Sequence, residues 1–128
     1  MGSFIRLGGS VATACFVCIA AGTAAAQEKI SFSEDVMPIL KLRCMECHQP
    51  GGDGYETSGL DLTSYEGLMK GTKFGPIVDP GDAIMSNFMV VVEGRGSPEI
   101  QMPHDRKKLT SWEINILRRW INTGAENN

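Results

Sequence analysis

The run Cys44-Met45-Glu46-Cys47-His48 constrains this chain more than any other feature of it. On a turn of helix, cysteines three residues apart lie on one face, and the residue after the second projects its imidazole from the same turn. A thioredoxin-like redox pair or a disulfide fits poorly, because no βαβ pattern surrounds the cysteines, which are predicted late in a helix. Zinc also fits poorly: the chain has only two histidines, His48 and His104, and lacks the usual four-ligand spacing. Buried free thiols are at odds with an oxidising compartment.

C-x-x-C-H is the attachment signature of a c-type haem. Both thiols then reach the two vinyl groups along one porphyrin edge, and His48 presents a ring nitrogen to the iron. The motif therefore predicts one covalent haem c, held through Cys44 and Cys47 with His48 as an iron ligand.

Such attachment is made outside the cytoplasm, and the N-terminus agrees independently. A short head with one cation, Arg6, leads into an apolar, small-residue stretch from Leu7 to Gly22 and then Ala24-Ala25-Ala26. Residues 1–26 are expected to be a signal peptide cleaved near Ala26, leaving 27–128 as a single monohaem domain, periplasmic or otherwise exported. An uncleaved anchor is the alternative, disfavoured because Gly8, Gly9, Ser10, Thr13, Gly22 and Thr23 make the stretch weakly hydrophobic. Cys15-Phe16-Val17-Cys18 falls inside this segment and reads as incidental. The preceding Ala12-Thr13-Ala14 lacks the leucine of a lipid-attachment site. No second apolar run of spanning length follows, so no membrane span is expected after cleavage.

Charge narrows the partners. From Gln27 onward 11 Lys and Arg face 15 Asp and Glu, a net charge of −4. Arg106-Lys107-Lys108 and Arg118-Arg119 lie among acids, so nothing indicates a nucleic-acid binder.

Four short helical patterns are legible, and no strand. The first covers about Glu34 to Cys47, with Ser31 and Glu34 as a capping box and Val36, Ile39, Leu40 and Leu42/Arg43 as its apolar stripe. Pro38 is tolerable only near its first turn. Gln49 to Gly59 is glycine-rich and reads as loop. A short helix is expected from Ser64 to Lys70, closed by Gly71. Lys73 to Asp79 is extended, and Pro80-Gly81-Asp82 is a turn with Asp82 capping a third helix over Ala83 to Val92. Arg95 to Lys108 is a second irregular loop. Thr110 and Glu113 form a second capping box opening a last helix to about Asn122, whose Leu117, Trp120 and Ile121, with Ile114 and Ile116, share one face. About a hundred residues in short helices with two long loops are hard to stabilise by core burial alone, and a large apolar cofactor at the centre explains both features.

Candidates for the second axial ligand are Met37, Met45, Met69, Met85, Met89, Met102 and His104. Met45 is locked inside the motif. Met37, Met69, Met85 and Met89 occupy helical positions, where packing is the default role. Met102 lies on the loop before the last helix and is followed by Pro103, which fixes the backbone there. It is favoured over His104, which stays open as the alternative, because Met/His ligation is common in small cytochromes.

The pieces in order resemble class I c-type cytochromes, and most closely the small planctomycete-type cytochrome c haem domains. They are Val36-Met37-Pro38-Ile39-Leu40 before Cys44-x-x-Cys47-His48; Gly59-Leu60-Asp61-Leu62; Gly75-Pro76 and Pro80-Gly81-Asp82; Met102-Pro103; and Leu109-Thr110 to Trp120-Ile121-x-x-Gly124-Ala125. The resemblance implies an all-α small cytochrome c fold, about four short helices around one haem with long irregular loops. It implies Met102 as the distal ligand, first and last helices crossing near Trp120, and a hydrogen bond from the His48 ring to the Pro76 carbonyl. His104 departs from the Met-Pro-Pro that such relatives commonly show.

With protein ligands on both iron faces, the expected function is one-electron transfer with redox-protein partners, and no residue acts as a catalytic acid, base or nucleophile. The rivals are a haem subunit permanently bound to a larger respiratory or dehydrogenase complex, and a haem-based sensor or enzyme with a labile sixth ligand.

Overall fold

The computed structural model describes residues 1–2 and 28–128. The expected signal segment and Cys15-x-x-Cys18 fall outside the described residues. Among the described residues every regular element is helical, with one isolated bridge between Thr72 and Gly75, so the all-α fold class holds. No described helix is long and apolar enough to cross a membrane.

The first helical pattern resolves into a π-helical turn, Phe32–Val36, running directly into α1, Met37–Arg43. Ser31 caps it as expected, its hydroxyl accepting from the Glu34 N–H. The reciprocal bond to the Ser31 N–H comes from Asp35 rather than Glu34. A π turn, here Val36 N–H to Ser31 C=O, inserts one extra residue and brings position 35 where 34 would stand. Pro38 sits in the first turn of α1, where a missing N–H is harmless.

Two expectations at the end of this helix need correction. It stops at Arg43, so the cysteine motif follows it in turns instead of lying within it. Leu42, assigned to the apolar stripe, is 74% exposed, while Val36, Ile39 and Leu40 are buried. The stripe passes to Arg43, whose side chain turns inward to meet Glu113.

The segment read as a loop, 49–59, contains α2, Asp53–Ser58. It buries no residue, so periodicity had nothing to register. Helix α3, Tyr65–Lys70, is closed at Gly71 as the sequence predicts, and Ser64, expected as its first residue, caps it instead. The third predicted helix begins later than expected. Asp82 caps an isolated turn, accepting from the N–H groups of Ile84 and Met85, and α4 runs Asn87–Val92. Met85 is therefore 68% exposed on that turn and has no packing role, whereas Met89 is fully buried in α4.

Helix α5, Ser111–Asn122, carries both halves of the Thr110–Glu113 capping box and buries Ile116, Leu117, Trp120 and Ile121. Trp120 stacks obliquely on Phe32 at 5.4 Å and meets Tyr65 edge-on at 6.4 Å. Its indole N–H donates to the Glu126 carbonyl. The first and last helical segments thus meet at Trp120, around a core that also takes in Leu60, Leu62, Leu68, Val78 and Phe88.

Candidate functional site

The motif folds as one closed turn just past α1. The N–H groups of Cys47 and His48 both donate to the Cys44 carbonyl, at 3.2 and 3.0 Å. This is the helical spacing that the geometry of two thiols and an adjacent imidazole requires, although the helix proper has ended. Cys44 and Cys47 are half-buried free thiols, and His48 is buried.

The glycine-rich stretch after the motif has a steric task. A Cβ on Gly52 would stand 2.5 Å from the Cys47 carbonyl oxygen, and one on Gly54 would stand 2.8 Å from His48 Cε1 and 3.0 Å from its Nδ1. Only a bare backbone approaches the motif so closely. The chain is held in that fold by the Tyr55 N–H donating to the Cys47 carbonyl and the Leu62 N–H donating to the His48 carbonyl.

Burial lowers the His48 pKa, with the Leu60 backbone pulling weakly the other way, so the ring favours its neutral, metal-ligating form. Its Nδ1 is buried without a hydrogen-bond partner. The expected bond to the Pro76 carbonyl is not formed. The Gly75-Pro76 backbone is instead pressed onto Gly71, where a Cβ would come within 2.7 Å of Pro76 Cα. Burial pushes the Cys44 thiol up to about 12, which keeps it protonated and argues against a thiolate-based redox pair.

Met102 is half-buried and leans on the core, its N–H donating to the Val91 carbonyl at the end of α4 at 3.0 Å. Its peptide bond to Pro103 is cis. Next to it His104 is exposed, its ring 3.4 Å from the Asp105 carboxylate. Met37, Met45 and Met69 pack against the core.

Two ion pairs join the motif to the part of the chain that follows Met102. Arg43, one residue before Cys44, holds Glu113 at the start of α5. Glu46, between the two cysteines, is held by Arg106. Sequence reasoning missed both pairs. The capping box marked Glu113, but its second partner is 70 residues away, and no local pattern signals that.

These residues fit a c-type haem. A buried imidazole nitrogen without a partner is costly in a protein interior and calls for a group to satisfy the ring. Two thiols at the required spacing flank it, and a thioether stands on a separate loop, a nitrogen and sulfur set suited to haem iron. Among the described residues no three His, Cys, Asp or Glu side chains gather into a metal-holding group, so a zinc site lacks ligands there.

Residues 44–105 match the family model described as Planctomycete cytochrome C. No curated protein matches the chain. No solved structure matches it either. The matched stretch opens on Cys44 and runs past Met102, so it contains the whole attachment motif and the Met-Pro loop. The resemblance carried by C-x-x-C-H and Met102-Pro103 is thereby borne out over Cys44 to Asp105, where the chain is similar to planctomycete-type cytochrome c.

Proposed function

We propose that this domain is a one-electron carrier with a single haem attached through Cys44 and Cys47, His48 on one iron face and Met102 on the other. The observation that carries this reading is His48, buried beside two thiols with a ring nitrogen that no protein group satisfies. Haem, when bound, supplies the Fe(II)/Fe(III) couple. Each remaining task falls to the chain. Cys44 and Cys47 fix the group in register. The contact of His48 with Gly54 orients the imidazole, and its burial keeps the ring neutral.

Met102 is favoured as the second ligand because its backbone is pinned to α4 and its side chain leans on the core, whereas His104 faces solvent beside Asp105. With haem bound, Met102 sulfur would raise the potential relative to a second histidine, and His48 and Met102 together would leave no ligand position for oxygen. Redox-protein partners would be met at small transient interfaces. The domain works outside the cytoplasm, following export and cleavage near Ala26.

Met102→Ala tests the ligand set. The oxidised wild-type protein is expected to show the far-red sulfur-to-iron charge-transfer band, Met102→Ala to lose it and His104→Ala to keep it. Loss of the band in His104→Ala, with retention in Met102→Ala, overturns the choice.

A further inference from the structure

The ion pair between Glu46 and Arg106 has a position that stability alone does not explain. Glu46 lies between the two attachment cysteines, so its backbone is fixed wherever haem is attached. Arg106 lies four residues after Met102. The guanidinium grips both carboxylate oxygens, with Nη2 at 2.7 Å from Oε1. The pairing lowers the Glu46 pKa and raises that of Arg106, which also senses Cys47. Among the described residues, this pair is the sole hydrogen-bonded tie from residues 103–108 to any other part of the chain.

The rest of the loop is held only at its ends. Upstream, the Met102 N–H is bonded to Val91; downstream, Leu109 is buried and Thr110 caps α5. Between them Asp105 adopts a left-handed backbone, φ 51°, and His104 through Lys108 are exposed. The two ion pairs at the motif differ in kind. Arg43 and Glu113 have side chains 18% and 8% exposed, whereas those of Arg106 and Glu46 are 49% and 72% exposed. Exposed pairs contribute little to folding and are screened by salt. The first pair is part of the scaffold and the second is releasable.

We propose that Glu46 and Arg106 form a latch that holds the Met102 loop over the haem-attachment turn and sets how readily an outside ligand displaces Met102. The proposal rests on the reading of Met102 as the distal ligand. Arg106 is a positioning residue: it acts on the iron only through the loop that carries Met102. Releasing the latch frees residues 103–108, so the methionine leaves the iron more often while the helices stay folded.

The test is an imidazole titration of the oxidised holoprotein, followed by loss of the far-red band. Low ionic strength is used for wild type, Glu46→Gln, Arg106→Gln, the exchange variant E46R/R106E, and Arg118→Gln. The last removes the ion pair of another half-exposed arginine, 47% against 49% for Arg106, with Glu93, which keeps Arg95 as a partner. Either single variant at the motif is expected to bind imidazole about two- to fivefold more tightly than wild type, the range expected of an exposed pair. The gap closes at high salt, E46R/R106E recovers wild-type behaviour, and Arg118→Gln matches wild type throughout.

Unchanged imidazole affinity in both single variants overturns the latch, as does an equal shift in Arg118→Gln. The ligand reading fails separately, in a way that cannot be confused with this. A wild-type protein without the far-red band, or a Met102→Ala variant that keeps it, removes Met102 from the iron and the latch with it. A band present in wild type and lost in Met102→Ala, with no effect of the single variants, overturns the latch alone.

Discussion

Arg43 and Glu113, 70 residues apart in the chain, meet through two hydrogen bonds, Nε to Oε1 at 2.7 Å and Nη2 to Oε2 at 3.1 Å. The same carboxylate accepts from the N–H and hydroxyl of Thr110, so it closes the α5 capping box and binds the residue before Cys44 at once. Burial raises the Glu113 pKa, but the bonds from Arg43 and Thr110 outweigh it and hold the carboxyl below its ordinary value.

A pH dependence with a definite sign follows. A carboxyl with a depressed pKa in the folded state stabilises the fold fully above its unfolded value and loses that contribution as pH falls through the folded one. The thermal midpoint of the wild-type protein is therefore expected to drop as pH falls below the ordinary glutamate range. Glu113→Gln is expected to start lower at neutral pH and to respond less to acid. Parallel curves for the two proteins in a series of pH-dependent melts contradict this role.

Gly54→Ala places a methyl group against the His48 ring, 2.8 Å from Cε1 before any adjustment. Overpacking of this kind costs about 1–3 kcal/mol. Lower stability, together with a shifted reduction potential or Soret band, is the expected outcome, because the ring that must yield is the proposed iron ligand. Denaturant titration and spectroelectrochemistry read the two effects separately. A drop in stability with an unmoved potential and spectrum counts against Gly54 acting on the ligand.

Trp120 is 1% exposed and joins α5 to Phe32 and Tyr65. Trp120→Ala is expected to cost about 3–5 kcal/mol, as for other large aromatic truncations in a core. Thr110→Ala removes one helix cap and is expected to cost about 1 kcal/mol. Equilibrium unfolding of both variants, each with haem attached, checks the ranking.

What was legible in the sequence was what local chemistry encodes. The Cys44–His48 spacing, the Thr110 cap, the Gly71 stop and the apolar face of α5 all act within a turn or two of chain, and the structure keeps them. The Ser31 box was half legible, because one π turn shifted its partner from Glu34 to Asp35. Helix α2 was invisible because it has no buried face, and the start of α4 slipped because Asp82 caps a turn as readily as a helix. Leu42 was misplaced because Arg43 takes the inward position to reach Glu113. Both ion pairs at the motif join residues 60 or 70 positions apart, and nothing in the flanking residues announces either one. At the site, the spacing of the motif residues was open to local reasoning. The glycines packed against the motif, and the ion pairs that tie α5 and the Met102 loop to it, required the tertiary fold.

Covalent attachment at Cys44 and Cys47 is tested most directly by acid–acetone extraction of the protein from exporting cells with haem-attachment machinery. One haem per chain is expected to stay with the polypeptide, and Cys47→Ala to weaken or abolish that retention. Haem that passes entirely into the solvent from the wild-type protein, or that stays fully covalent in Cys47→Ala, contradicts it.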